Sequence, residues 1–253
     1  MKTPEEYLIE SVLSGKCVLF LGAGASASSF LKNDETVPIG NRLSEILYKE
    51  FYPNESYDGE SLQLVSSTIQ QNFGNAKLHS FLYDLLCDVE SSEGLKKLTK
   101  FKWYNIYTTN IEQAIENAYL SEQEKAQNLL TVVAPYDKGT EDRNTEITLH
   151  KLHGCITRKD IPLVFSLEEY ASSREAHLKL FEKLSIDLME RPIIFIGYSM
   201  QDSNFQEVWA TIEKYCHITT IPNRYFFVSP NIKTSFAGYL ASKGFNYFKG
   251  RYR

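Results

Sequence analysis

A chain of 253 residues, 43% hydrophobic and 23% charged, can build a full core as one large domain or a domain with a sizeable insertion. Its net charge of -5 lends no support to a nucleic-acid surface, and no apolar run approaches the length that spans a bilayer. The four cysteines (Cys17, Cys87, Cys155, Cys216) include no Cys-x-x-Cys pair, and residues 1–6 lack a charged-then-apolar leader, so the expectation is free thiols in a cytoplasmic protein.

In chain order, Thr3-Pro4-Glu5-Glu6 has the pattern of a helix start and predicts a helix to about residue 14. The apolar run 17–21 reads as a buried strand ending in the small-residue loop Gly22-Ala23-Gly24-Ala25-Ser26. A polar stretch at 32–36 and Val37-Pro38-Ile39-Gly40 then precede a helix over 41–51. Between there and residue 100 apolar residues recur at helical spacing, which predicts a helical subdomain over 41–100 inserted into the strand-bearing core. Strands are expected at 105–108, 147–152 and, shorter, 163–165, with a helix over 111–124. An amphipathic helix over 174–190 ends before Pro192, and 193–197 is a clear buried strand. Asp202 or Ser203 can cap a helix through residue 215, followed by a strand at 225–228, a helix at 235–242 and an edge strand at 245–248. This alternation predicts an α/β fold with a doubly wound, Rossmann-like parallel sheet carrying a helical insertion. Ligands of such sheets sit at the carboxyl ends of the strands.

Four segments end at that edge: Gly22 to Ser26, Thr108-Thr109-Asn110, Lys151-Leu152-His153-Gly154 and Gly197-Tyr198-Ser199. A glycine loop after a strand can bring backbone N–H groups to a pyrophosphate, with Ser26 adding a hydroxyl, or can be a plain structural turn. Asn110 carries an amide that both donates and accepts, suited to ribose hydroxyls or a water; alone it is more often a helix cap. His153 has an imidazole able to act as a general base; alone it is more often a hydrogen-bonded core residue. His150 falls on the other side of the sheet, because strand side chains alternate.

The order Gly-Ala-Gly-x-Ser, Thr-x-Asn, Leu-His-Gly, Gly-Tyr-Ser resembles the sirtuin-like NAD-consuming superfamily, over residues 17 to about 231. It looks closest to the zinc-free, sirtuin-like NAD hydrolases of bacterial anti-phage defence. The resemblance implies NAD as substrate, no metal, and Asn110 and His153 as catalytic residues. It implies that Gly22, Ala23, Gly24, Ser26, Pro38, Thr109, Gly197 and Ser199 line the dinucleotide, and that Ser229 and Asn231 meet its adenosine half. Glu112 stands where the pattern usually has Asp, a residue that contacts the nicotinamide ribose. Asp202 matches Gly-Tyr-Ser-x-x-Asp, although it also suits a helix cap. The Asp-Phe-Arg of deacylating sirtuins is replaced by Ile39-Gly40-Asn41; Arg42 either compensates or is a surface residue.

The implied reaction is hydrolysis of NAD to nicotinamide and ADP-ribose. A protein deacylase is disfavoured, because its zinc ribbon needs paired cysteines and residues 153–197 hold only Cys155. A module that senses NAD or ADP-ribose without turnover is disfavoured by the presence of both Asn110 and His153. With residues 249–253 directly after the last expected strand, no sensor is expected within the chain. Control is expected from a separate domain, a regulatory partner or homo-oligomerisation, with no nucleic acid or membrane involved.

Overall fold

The computed structural model describes residues 2–200, 203–216 and 224–250. Helix α1 (Pro4–Leu13) opens with a capping box: the Thr3 side chain accepts from Glu6 N, and the Glu6 carboxylate accepts from Thr3 N. Then come β1 (Val18–Leu21), the short α2 (Ala23–Ser26) and β2 (Phe30–Leu31). The helices α3 (Asn41–Phe51), α4 (Leu62–Phe73) and α5 (Asn75–Leu86) lead through β3 (Val89–Glu90) to α6 (Glu93–Leu98). Next are β4 (Ile106–Thr108), α7 (Ala114–Ser121), β5 (Asn128–Val132), β6 (Glu146–Lys151), α8 (Leu167–Ala176) and α9 (Leu178–Glu190). The chain continues with β7 (Ile193–Ile196), α10 (Ser203–Cys216), β8 (Tyr225–Ser229), α11 (Thr234–Ser242) and β9 (Phe245–Lys249).

The described residues form a seven-stranded parallel sheet in the order β5-β6-β4-β1-β7-β8-β9. From β1 the chain builds one half of the sheet through β4, β5 and β6. It then crosses back to place β7 on the other side of β1. That reversal puts a topological switch point, the usual ligand crevice of open parallel sheets, between β1 and β7.

Buried on both faces, β1 and β7 are apolar at every position. Leu19, Leu21, Ile106 and Leu149 face a core shared with α3, α4, α5 and α7. Val18, Phe20, Tyr107 and Phe195 face α9 and α10 in a second core. The second core is rich in aromatic contacts, such as Phe20 against Phe195 at 5.2 Å and against Tyr198 at 4.6 Å. The fold class is thus the one expected.

Several local expectations are corrected. Residues 163–165 form no strand; Val164 N donates instead to the His153 carbonyl. The helix expected over 111–124 covers only Ala114–Ser121, since 110–113 turn into the site. The amphipathic stretch 174–190 is two helices meeting at His177, and α8 begins earlier, at Leu167. The strands β2, β3 and β5 were not anticipated; β2 and β3 pair only with each other, as a two-stranded antiparallel ribbon. The proposed cap by Asp202 or the Ser203 side chain lies outside the described residues.

Candidate active site

The carboxyl ends of three adjacent strands are tied together by side chains and loop amides. Thr108 Oγ1 donates to the Leu21 carbonyl (2.8 Å) and accepts from Asn110 N (3.0 Å), while Leu152 N donates to the Thr108 carbonyl (2.8 Å). Ile156 N donates to the Ile111 carbonyl (2.9 Å), joining the loop that bears His153 to the loop that bears Asn110. On the other side, Gly22 N bonds the Ile196 carbonyl (2.9 Å) and Gly24 N bonds the Gly197 carbonyl (2.8 Å). Two loop amides that sequence reasoning aims at a pyrophosphate are therefore committed to the end of β7. Gly197 has φ +64°, and a Cβ there would lie 2.1 Å from Ala25 N. The glycines allow two loops to touch at the switch point, with the exposed Ala23 at the turn.

Asn110 is only 6% exposed and its amide is held from one end. Nδ2 lies 3.2 Å from the Gly22 carbonyl, 3.0 Å from Ser26 Oγ and 3.3 Å from Glu112 Oε1. Ser26 Oγ in turn donates to Glu112 Oε1 (2.5 Å). Three acceptors around one end of the amide fix it as the NH₂ end, because an oxygen there would face oxygens alone. The consequence is that Oδ1, buried and with no partner among the described residues, is the atom left to accept from a ligand. Burial raises the Glu112 carboxyl above its ordinary value, with Lys151 and the Ser26 hydroxyl pulling it back.

His153 is 4% exposed, one strand further along. Its ring meets Tyr170 of α8 edge to face at 5.0 Å, and its carbonyl accepts from Val164 N at 3.1 Å. His177, buried at the corner of α8 and α9, is held below its usual pKa by burial first and by its neighbour His153 second. Gly154 has φ +84°, and a Cβ there would lie 2.7 Å from the Pro162 carbonyl, so the loop after His153 packs closely on that segment.

A family model described as a SIR2-like domain matches residues 105–248, from the start of β4 into β9. The chain belongs to the SIR2-like family. It is similar to the NAD(+) hydrolase ThsA of Enterococcus faecium, 26% identical over 219 residues that cover 80% of this chain and 41% of that protein. It is also similar to the NAD(+) hydrolase ThsA of Bacillus cereus (strain MSX-D12), 22% identical over 207 residues with the same 80% and 41% coverage. The chain thus spans about two fifths of the length of these curated relatives.

Among the residues singled out in this SIR2-like chain, Ser26, Asn110 and Glu112 form one bonded cluster, with His153 on the adjoining loop. Thr109 is half-buried beside Asn110, and Pro38 is buried just after Val37, whose N–H bonds the Ser29 carbonyl. Ser199 is exposed beyond β7. Ser229 ends β8, with its hydroxyl 3.4 Å from the carbonyl of the exposed Asn231. Arg42 pairs with Glu45 on an exposed helix face, so of its two readings the surface one holds. Asp202 lies outside the described residues. His150 occupies the opposite face, stacked on Tyr107 at 4.7 Å.

Sequence reasoning missed Lys151, Glu116, Tyr170 and His177. A signal existed for the first: a lysine inside the apolar alternation of 147–152 has to be paired when both faces of the sheet are covered. Its partner is Glu116, with Nζ to Oε1 2.8 Å. Among the described residues, no group of three or more metal-ligating side chains could hold an ion, and no helix is long and apolar enough to cross a membrane.

Proposed function

We propose that this chain hydrolyses NAD to nicotinamide and ADP-ribose. The observation that carries the reading is the Asn110 amide: Nδ2 is tied inward and Oδ1 is left as a buried acceptor, next to the loop of His153. An oxygen acceptor so held can orient a ribose hydroxyl or a water. The C1′–N bond breaks and nicotinamide departs with the bonding pair, already activated by its own positive charge. The water oxygen then bonds to C1′, and His153 takes the released proton and passes it to solvent. Membership of the SIR2-like family and the NAD(+) hydrolase names of two relatives support the same substrate.

In this reading the dinucleotide lies along the switch point between β1 and β7. The turn Gly22-Ala23-Gly24 and Ser26 form its floor, Pro38 and Thr109 flank the nicotinamide half, Gly197 and Ser199 close the far side, and Ser229 and Asn231 lie toward the adenosine. Glu112 acts through Asn110 and Ser26, to which it is bonded. The biological role is depletion of NAD in anti-phage defence, in the cytoplasm, where the free thiols Cys17, Cys87 and Cys155 are stable. Uncontrolled activity would be toxic, so a partner protein, a further domain or homo-oligomerisation governs it.

The test is incubation of the purified chain with NAD and quantitation of nicotinamide and ADP-ribose. Asn110→Ala is expected to lower kcat by about 10²–10³-fold, and His153→Ala by about 10²–10⁴-fold. Binding of NAD in calorimetry with no turnover under any condition of assembly would replace the hydrolase with a sensing module.

A further inference from the structure

Strand β6 delivers consecutive side chains to opposite faces, and the one on the α7 side is Lys151, fully inaccessible to solvent. Its ammonium makes two bonds: to Glu116 Oε1 on α7 (2.8 Å) and to the main-chain carbonyl of Glu112 (2.5 Å). The second bond falls on the turn between Asn110 and α7, where the backbone has left β4 and is not yet helical. From that turn the Glu112 carboxylate accepts from Ser26 and from Asn110 Nδ2.

We propose that Lys151, paired with Glu116, is a positioning residue of the active site: it pins the Glu112 carbonyl and thereby sets the Asn110 amide. The inference rests on the reading of Asn110 as a catalytic residue. Helix α7 supplies the fixed end of the device, because Glu116 stands one helical turn beyond Glu112 and is itself buried. Lys151 therefore bridges a strand, a turn and a helix at one point. A lysine in an apolar core carries a desolvation cost that plain packing residues avoid, so its presence calls for a task other than filling space.

The electrostatics agree with this arrangement. Burial alone would pull the Lys151 ammonium toward neutrality, but the carboxylate of Glu116, with Cys155 and Glu112 nearby, holds its pKa above the ordinary value. Burial pushes the Glu112 carboxyl up, and Lys151 is the largest influence opposing that, ahead of the Ser26 hydroxyl; Glu116 pushes the other way. Lys151 thus acts on both the position and the ionisation of the group that holds Asn110.

The experiment compares the full chain with the double variant Lys151→Met, Glu116→Leu, which replaces a buried pair with apolar groups and so avoids leaving an unpaired charge. The expected result is a folded protein with a melting temperature near that of the wild type. Its kcat is lowered roughly ten- to a hundredfold with little change in KM. The acidic limb of its pH–rate profile moves to higher pH, because Glu112 has lost its cation. A filler role for the pair would leave that limb unmoved. In parallel, the Asn110 side-chain amide signal in ¹⁵N-correlated NMR, assigned by its loss in Asn110→Ala, is expected to shift and broaden in the double variant. Wild-type kcat and an unmoved acidic limb in the folded double variant would overturn the proposal. If the wild type itself did not hydrolyse NAD, the hydrolase reading would fall separately and the Asn110 signal alone would decide. Unchanged in the double variant it refutes the positioning role, and broadened it upholds it.

Discussion

His150 and Lys151 are neighbours in β6, 3% and 0% exposed, and the two faces of the sheet treat them in opposite ways. On the aromatic face His150 stacks on Tyr107, and among the described residues neither of its ring nitrogens has a hydrogen-bond partner. Burial, aided by the positive charges of Lys183 and Arg143, pushes its pKa down to about 3. On the other face Lys151 is buried at least as deeply, yet Glu116 and the Glu112 carbonyl keep it charged. Burial sets the cost of a charge and the partners decide whether it is kept. The face that keeps its charge is the one that also holds Asn110 and Glu112.

The strongest way to break this contrast is to remove one partner from the charged face. Lys151→Met leaves the Glu116 carboxyl buried without its cation, and is expected to cost about 3–5 kcal/mol in urea or thermal unfolding. Adding Glu116→Leu should recover most of that loss, because the buried carboxyl is gone. A single variant within about 1 kcal/mol of the wild type would mean that water or a backbone shift satisfies Glu116, and the two faces would differ less than described.

What was legible beforehand follows the same division. The strands β1 and β7 were readable because both faces of each are covered, so every position is apolar. The helix Asn41–Phe51 was readable from its periodicity, and Ser26, Asn110 and His153 from their places after strands. The edge strand β5 was not, since Asn128 to Thr131 are only half-buried or exposed and show no alternation. The break at His177 has no glycine or proline to announce it. Glu112 was legible only as standing at the position of a ribose-contacting Asp; its bonds to Ser26 and Asn110, 86 and 2 positions away, were not. The glycines were legible as close-approach residues; the protein atoms that approach Gly22 and Gly24 are those of Gly197 and, at Gly22, Tyr198 as well. Periodicity reports which face is covered; it carries no information about which distant atom lies against a given side chain.

Acid should undo the aromatic face first. The unfolded chain protonates His150 below about 6.5, while the folded chain keeps it neutral down to about 3, so stability present above pH 6.5 is lost as the pH falls through that window. The loss from this residue amounts to about 3 kcal/mol between pH 7 and pH 4. His177, also held below its ordinary value by burial and by His153, adds a loss of the same sign. Glu112 acts in the opposite sense, since its raised carboxyl favours the folded state once the pH drops below the ordinary carboxylate value. Lys151 has its raised pKa at the alkaline end, so its contribution is intact throughout this range and fades only above about 10.5. Urea midpoints that stayed flat from pH 7 to pH 4 would show that His150 finds a proton acceptor or solvent in the folded state.

The smallest effect should come from His150→Phe at pH 7, and it isolates the comparison most cleanly. Phenylalanine keeps a flat ring against Tyr107 and removes two nitrogens that have no partner among the described residues. At neutral pH the buried imidazole is already uncharged, so the substitution exchanges one neutral ring for another, and the change should stay within about 1 kcal/mol of the wild type. The same variant should lose the part of the acid sensitivity that belongs to residue 150, whatever His177 and Glu112 contribute in both proteins. The difference between the two unfolding curves should therefore be near zero at pH 7 and grow in favour of the variant to about 3 kcal/mol at pH 4. A difference that did not vary with pH would place the acid sensitivity elsewhere. A variant strongly destabilised at pH 7 would show that the imidazole makes a bond which its burial on this face conceals.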